Sequence, residues 1–360
     1  MTKATFRKDE SLTPQDAVTK TRSGEPVRAG GSAYDVDQTF RIRARRGLAF
    51  GNISAFYVLL LMVAIFGIWI PDIFLTPQNV RTILYESSVA TVIAVGLVMP
   101  SAAGKFDASV GANAGLASVL IGMLIVDHQV PWVAAAMLTI LVGAAVGLLN
   151  GLAVVRFQIQ SIIATLGMMS ILIGLATAVG NHRIIVGFPE SFESLGSATF
   201  LGVAWPVYVL VAVAIVVWFV LERAAVGRRI YATGGGEETA RLAGVRTRSI
   251  GVAVFVVSGA IASIGGILAT ARVGAAQAEM GPPFLLPAFA AVFLGATQLR
   301  GGRFNVWGTL LASFTLAVGV KGLTLGGAPL WLPEVFNGAA LLVAVALTAR
   351  KGLARAVPTH

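Results

Sequence analysis

Long apolar runs alternate with short polar connections along this chain, and that alternation most limits the folds open to it. The runs fall near Ile53–Ile70, Ser87–Ala102, Ser109–Val126, Trp132–Val155, Ser161–Val179, Val203–Leu221, Ile250–Ala271, Phe284–Gln298, Phe304–Gly322 and Leu332–Leu347. About 20 mostly apolar residues cross a bilayer as a helix, fewer where a span is broken or supported by neighbours. The pattern predicts an all-α polytopic membrane protein with about ten transmembrane helices. Eight or twelve spans fit the same rule, because Phe284–Gln298 is short. Composition agrees: 56% of the 360 residues are hydrophobic and 12% are charged, where a soluble domain carries roughly 25% charged residues. The 41 glycines suit helices that approach closely without a hydrophobic drive between them.

Charge placement orients the spans. With the N-terminus inside, the cytoplasmic connections hold Lys105, Arg156, six arginines from Arg223 to Arg248, Arg300 and Arg303. The C-terminal tail adds Arg350, Lys351 and Arg355, whereas the external borders hold Arg81, Arg183, Arg272 and Lys321. Basic residues concentrate on cytoplasmic loops, so both termini are expected in the cytoplasm. The organisation expected is a disordered basic cytoplasmic tail over 1–50, a membrane domain over 51–349 with a cytoplasmic loop at 222–249, and a cytoplasmic tail over 350–360. The first tail is polar, ends in Arg41, Arg43, Arg45 and Arg46, and shows no early apolar run, so no cleavable signal peptide is expected. The net charge of +10 is not arranged as a basic stripe with interleaved aromatics, which argues against nucleic acid. The chain has no cysteine, which excludes disulfides, thiolate catalysis and Cys-ligated metals.

The segment Tyr231 to Val245 is a polar, Gly-punctuated stretch within the longest internal connection. Gly234 to Gly236 are expected to break structure. Glu237 and Glu238 then place acids in the first turn of a short helix, where the dipole favours them. Arg241 lies four residues after Glu237, at ion-pair spacing. Ala240 and Ala243 form a small face, and Gly244 suits a left-handed stop. The segment reads as a docking helix for another protein.

Chemistry is sparse elsewhere. The Gly104-Lys105 pair has Met99 at the first glycine position of a P-loop and Phe106 at its hydroxyl position, so ATP is not bound by that route. His128, His182 and His360 lack metal-site spacing, and no metal or catalytic constellation is expected. Ionisable groups deep in a membrane are functional by default, and here they are nearly missing. Asp107, Lys105, Glu222, Lys321 and Glu334 all lie near span ends. Polar uncharged groups remain: Ser109, Asn113, Asn150, Thr165, Ser258, Gln298, Asn305, Thr309 and Asn337. Such groups exchange hydrogen bonds with a neutral, hydroxyl-rich solute, and equally join helix to helix. Asp107, Ser109, Asn113, Thr165 and Asn305 are the candidates for a translocation pathway.

Four blocks, in order, resemble the permease subunits of ribose-type ABC importers. They are Phe106-Asp-Ala-Ser-Val-Gly111, Ile163-Ala-Thr-Leu-Gly-Met168, Gly227 through Gly244, and Ala290-Ala-Val-Phe-Leu-Gly295 followed by Gly301-Gly-Arg-Phe-Asn-Val-Trp-Gly-Thr309. The resemblance runs over roughly Leu59 to Leu347. Ala108, Lys105, Ser161-Ile162, Gly236 and Pro287 depart from the family's usual residues. The resemblance implies a non-enzymatic subunit of the bacterial inner membrane that translocates a monosaccharide or similar polyol. Its implied partners are ABC ATPase subunits, a second permease copy or homologue, a periplasmic sugar-binding protein, and the membrane lipid. ATP would be bound on the partner and no cofactor by this chain. Gly236, Glu237, Glu238, Ala240, Arg241, Ala243 and Gly244 would couple to the ATPase. The other readings are a related ABC permease for nucleosides or branched amino acids, an ion-coupled secondary carrier using Asp107, and a polytopic membrane enzyme.

Overall fold

The computed structural model describes residues 54–297 and 302–356, with side chains placed from 56 to 348 within those bounds. The expected tail over 1–50, Gln298 and Arg300 lie outside the described residues.

Helices dominate, as they must where hydrocarbon offers the backbone no partner. In chain order they are α1 (Ser54–Trp69), α2 (Pro71–Phe74), α3 (Pro77–Ala102), α4 (Val110–Gly122), α5 (Trp132–Arg156), α6 (Ser161–Gly180) and α7 (Glu190–Ser197). There follow α8 (Trp205–Glu222), α9 (Ala225–Gly235), α10 (Glu237–Leu242), α11 (Thr247–Val273), α12 (Leu285–Ala296), α13 (Val306–Leu325) and α14 (Leu332–Ala356). Among the described residues, eight helical segments are long and apolar enough to cross a membrane, and two shorter apolar helices, Phe56–Trp69 and Leu332–Thr348, accompany them.

Boundaries follow local chemistry. Helix α3 starts ten residues earlier than its apolar run, because Pro77 occupies the first turn and the Thr76 side chain accepts the Asn79 N–H at 3.2 Å. Arg81 and Glu86 therefore ride on a helix rather than in a loop. Asn181 ends α6 in the left-handed region with φ of 51°. Pro287 falls in the first turn of α12, where its missing N–H has no helical partner to lose. Two 3₁₀ turns, Ala278–Met280 and Pro282–Phe284, lead into α12.

Helices α3 and α4 are each 72% buried over their most apolar stretch, and α11 is 67% buried, whereas α6 is 17% buried. The first three form the centre. Helices α5, α6 and α8 present Met137, Leu141, Ile163, Ile171 and Val216 outward, as a lipid-facing rim requires. Helix α5 turns Gly143, Gly147 and Gly151 onto α11. A Cβ at Gly147 would lie 2.1 Å from the Phe255 carbonyl oxygen, and one at Gly259 would lie 2.2 Å from that of Gly143. These two helices pack backbone to backbone, the arrangement small residues permit in membranes. Hydrogen bonds between helices add to it: Asn113 Nδ2 donates to the Gly259 carbonyl at 3.0 Å, and the Thr91 and Ser313 hydroxyls are 2.6 Å apart.

At the end of the bundle away from α9 and α10, the connection 181–204 is ordered. Its strand Ile185–Val186 pairs antiparallel with Ala275–Ala276, Ile185 opposite Ala276. Phe188 and Phe192 pack against each other beneath it with tilted rings, their centroids 4.9 Å apart. The two segments that precede α8 and α12 thus form one surface, with Leu201 and Ile184 exposed on it.

Candidate functional site

Two features stand out at the opposite end, and one short loop joins them. The first is the polar hairpin after α8. Helix α9 buries Ile230 and Thr233 and keeps its arginines outside. It is tied down by Tyr231, whose hydroxyl donates to the Phe304 carbonyl at 2.7 Å while the Arg303 guanidinium covers its ring at 4.1 Å. Helix α9 continues through Gly234 and Gly235, and the break falls on Gly236 alone. Gly234 is a contact residue: a Cβ there would meet the Ala102 carbonyl oxygen at 2.1 Å. The expected hinge over Gly234 to Gly236 is therefore narrower than its composition suggested.

Helix α10 then covers Glu237–Leu242. Its end is a Schellman motif, with Gly244 N–H donating to the Arg241 carbonyl and Val245 N–H to that of Ala240, both at 3.0 Å. Gly244 has φ of +83°, as its sequence position predicts. Two other expectations are corrected. Arg241 pairs with Glu238 at 2.5 Å, one residue nearer than expected, because Glu237 is taken by Lys105 at 2.7 Å. Ala240 is buried inside the chain while Ala243 is exposed, so the two do not share an outward face. The outward residue that sequence reasoning missed is Leu242, 79% exposed. A lone leucine in a polar loop was the available signal. Beside α10 opens a polar cavity of ≈ 690 Å³ whose walls include Glu237, Glu238, Arg241 and Gln158.

The second feature is a buried polar network around the connection 103–109. Asp107 is 1% exposed. Its Oδ1 accepts from the Ser109 hydroxyl at 2.6 Å and the Ser109 N–H at 3.1 Å, and its Oδ2 accepts from the Ser258 hydroxyl at 3.0 Å. Asn150 Nδ2 donates to the Ser109 hydroxyl at 2.7 Å. Thr165 accepts the Ala108 N–H at 3.0 Å, and Ser161 accepts the Phe106 N–H at 3.1 Å. One loop is thus bonded to α5, α6 and α11. Burial holds the Asp107 carboxyl above its ordinary range, and the bonds from Ser109 and Ser258 offset only part of that rise. Of the pathway candidates, Asp107, Ser109 and Thr165 come together here, and Asn150 and Ser258 join them. Asn113 lies further along α4. Asn305 sits elsewhere, capping α13 through the Gly308 N–H at 2.7 Å and donating to the Gly295 carbonyl at 3.3 Å. Thr309 donates to the Asn305 carbonyl.

Lys105 links the two features, since it precedes Asp107 by two residues and holds Glu237. The pair is partly exposed, so its worth is about 0.2–1 kcal/mol. Lys105→Glu is expected to lower transport modestly, and the exchange Lys105→Glu with Glu237→Lys to restore it. Uptake rates of the single and double variants at matched expression check this, and equal rates for all would show the link to be idle.

Residues 79–345 match a family model described as the permease component of branched-chain amino acid transport systems. The chain belongs to this family. Curated relatives include the D-allose transport system permease protein of Escherichia coli, 31% identical over 294 residues that cover 82% of this chain and 90% of the relative. The ribose import permease protein of Bacillus subtilis is 33% identical over 302 residues, 83% of this chain and 93% of the relative. The L-arabinose ABC transporter permease protein of Azospirillum brasilense is 30% identical over 289 residues, 80% and 84% respectively. No solved structure matches the chain. The chain is thus a multi-pass transport permease, and the matched region contains every block that carries the family resemblance in the sequence.

Proposed function

We propose that this permease is the membrane-spanning subunit of an ATP-driven importer in a bacterial inner membrane, and that it carries a monosaccharide or similar polyol. The observation that carries the mechanism is the α9–α10 hairpin, an ordered polar projection that bears an exposed Leu242 on a chain related to sugar permeases. ATP would bind and be hydrolysed on a separate ATPase subunit. Gly236, Glu237, Glu238, Arg241, Leu242, Ala243 and Gly244 form the coupling surface, with Ala240 seating it on the bundle. Both termini lie in the cytoplasm, on the side of that hairpin, as the distribution of basic residues favours.

Two permease copies, or one with a homologue, enclose the pathway. Closure of the ATPase pair pushes α10, and rigid-body tilting of the spans switches access between the two sides. Lys105 and the Asp107 network, with Ser109 and Thr165, pass that movement to α5, α6 and α11. Asn113 and Asn305 hold the neighbouring spans of the same pathway. A sugar-binding protein docks on the surface made by 181–204 and 273–283. The family description names branched-chain amino acids, which keeps that solute class as the second reading.

The test is affinity capture of the tagged chain from native membranes, paired with uptake of labelled D-ribose, D-allose and L-arabinose. Recovery of an ATPase, with sugar uptake that valine and leucine do not compete away, is the expected result. A permease recovered alone, yet active and collapsed by an uncoupler, would mean an ion-coupled carrier.

A further inference from the structure

A cavity of ≈ 420 Å³ lies between α3, α12, α13 and α14, apart from the coupling hairpin and the Asp107 network and bordered at Pro283 by the external docking surface. Glu86 marks its position. It stands sixteen residues before Ala102, whose carbonyl meets Gly234 of the coupling hairpin, so the cavity is about 24 Å along α3 from that face. Lys321, near the end of α13, and Asn337, near the start of α14, reach it from the same end of the bundle.

The lining has two chemistries. Lys321 Nζ bonds both Glu86 carboxylate oxygens, at 3.0 and 3.1 Å. Paired this way, the two charges cancel and leave hydrogen-bonding atoms without net charge. Ser87 and Ser313 add hydroxyls, while Phe284 and Pro287 supply apolar surface. Asn337 is 7% exposed, and its Oδ1 has no hydrogen-bond partner. A buried amide oxygen without a partner costs about 1–3 kcal/mol, a cost that an arriving hydroxyl removes once the amide turns that oxygen toward the cavity.

We propose that this cavity is a binding site for the transported solute on its way in from the outer face, and that its ligand is a neutral polyhydroxylated compound of monosaccharide size. The volume falls within the range of about 300–1,000 Å³ typical of small-molecule sites. Alternating hydroxyls and C–H faces on such a solute match a lining of charge-paired polar atoms beside an aromatic ring and a proline. A zwitterionic amino acid would have to break the Glu86–Lys321 pair to satisfy its own charges. The inference rests on the sugar-import reading and adds a place where the permease itself meets the sugar.

The absence of cysteine makes a direct test available in cells carrying the whole transport system. Asn337→Leu keeps the branching at Cγ and removes the amide, and is expected to lower uptake of the carried sugar about tenfold, the loss of one hydrogen bond in a built site. Membrane content and ATPase recovery are expected to be unchanged. Ala317→Cys, on the cavity wall, is expected to react with an impermeant thiol reagent added outside, and to be shielded while the sugar is transported. Wild-type uptake by Asn337→Leu together with unshielded labelling of Ala317→Cys would overturn the site while leaving sugar import standing. A wild-type chain that carries none of the three sugars, yet takes up leucine, would overturn both.

Discussion

Leu242→Asp is expected to abolish uptake and to release the ATPase on affinity capture, while the chain stays inserted at its normal level. Leu242 is 79% exposed at the tip of α10 and touches no part of the core that folds the permease, so its loss leaves the bundle intact. A buried anchor at an interface centre contributes about 2 kcal/mol or more, and an unpaired carboxylate in its place adds a desolvation cost of several kcal/mol. Together these weaken docking by about a hundredfold or more. Gly244 gives the complementary experiment. A Cβ there would meet nothing within 4 Å, so any effect of substitution is conformational and follows from φ of +83°. Gly244→Val should strain the Schellman turn by about 1–2 kcal/mol and tilt Leu242 away, whereas Gly244→Asn, which tolerates the left-handed region, should retain most transport. Leu242→Asp with full uptake and a bound ATPase would end the assignment of α10 as the coupling element.

The spans and the polar hairpin after α8 were legible in the sequence because each rests on local information. Apolar length marks a membrane helix wherever it packs, and Gly244 announces a helix stop through its own backbone. What local information misses is partner choice. Glu237 has two basic residues within reach, Arg241 by helical spacing and Lys105 by the fold, and the fold wins because Gly234 rests on the Ala102 carbonyl and brings α10 beside residue 105. Ala240 looked like a docking surface because a helix face has no label saying which side meets its own protein. Polar residues at span ends carry the same ambiguity. Asp107, Ser109, Ser258 and Asn150 read as separate polar groups, and their three different chain segments meet only once α5 and α11 close on their glycines. The Glu86–Lys321 pair was hidden for another reason. Glu86 stands just outside the apolar run that begins at Ser87, and its place on α3 depends on the Thr76 cap ten residues upstream.

Asp107 separates a structural from an ion-coupling role in a way the two readings of transport cannot share. Asp107→Ala leaves the Ser109 N–H, the Ser109 hydroxyl and the Ser258 hydroxyl without their acceptor in a site that is 1% exposed. Each stranded donor costs about 1–3 kcal/mol, so the loss is at least about 3 kcal/mol and the melting midpoint falls on the order of 10 °C. Asp107→Asn behaves differently. Its amide oxygen still accepts from Ser109, and its NH₂ can donate to Ser258, whose hydroxyl rotates from donor to acceptor. The asparagine variant is therefore expected to melt within a few degrees of the wild type and to keep most of its ATP-dependent uptake. A proton- or sodium-coupled carrier demands the opposite: removing the charge at Asp107 would stop uptake without loosening the fold. Melting curves and uptake measured on the same two variants decide the matter, because only a coupling carboxylate gives a stable, inactive Asp107→Asn.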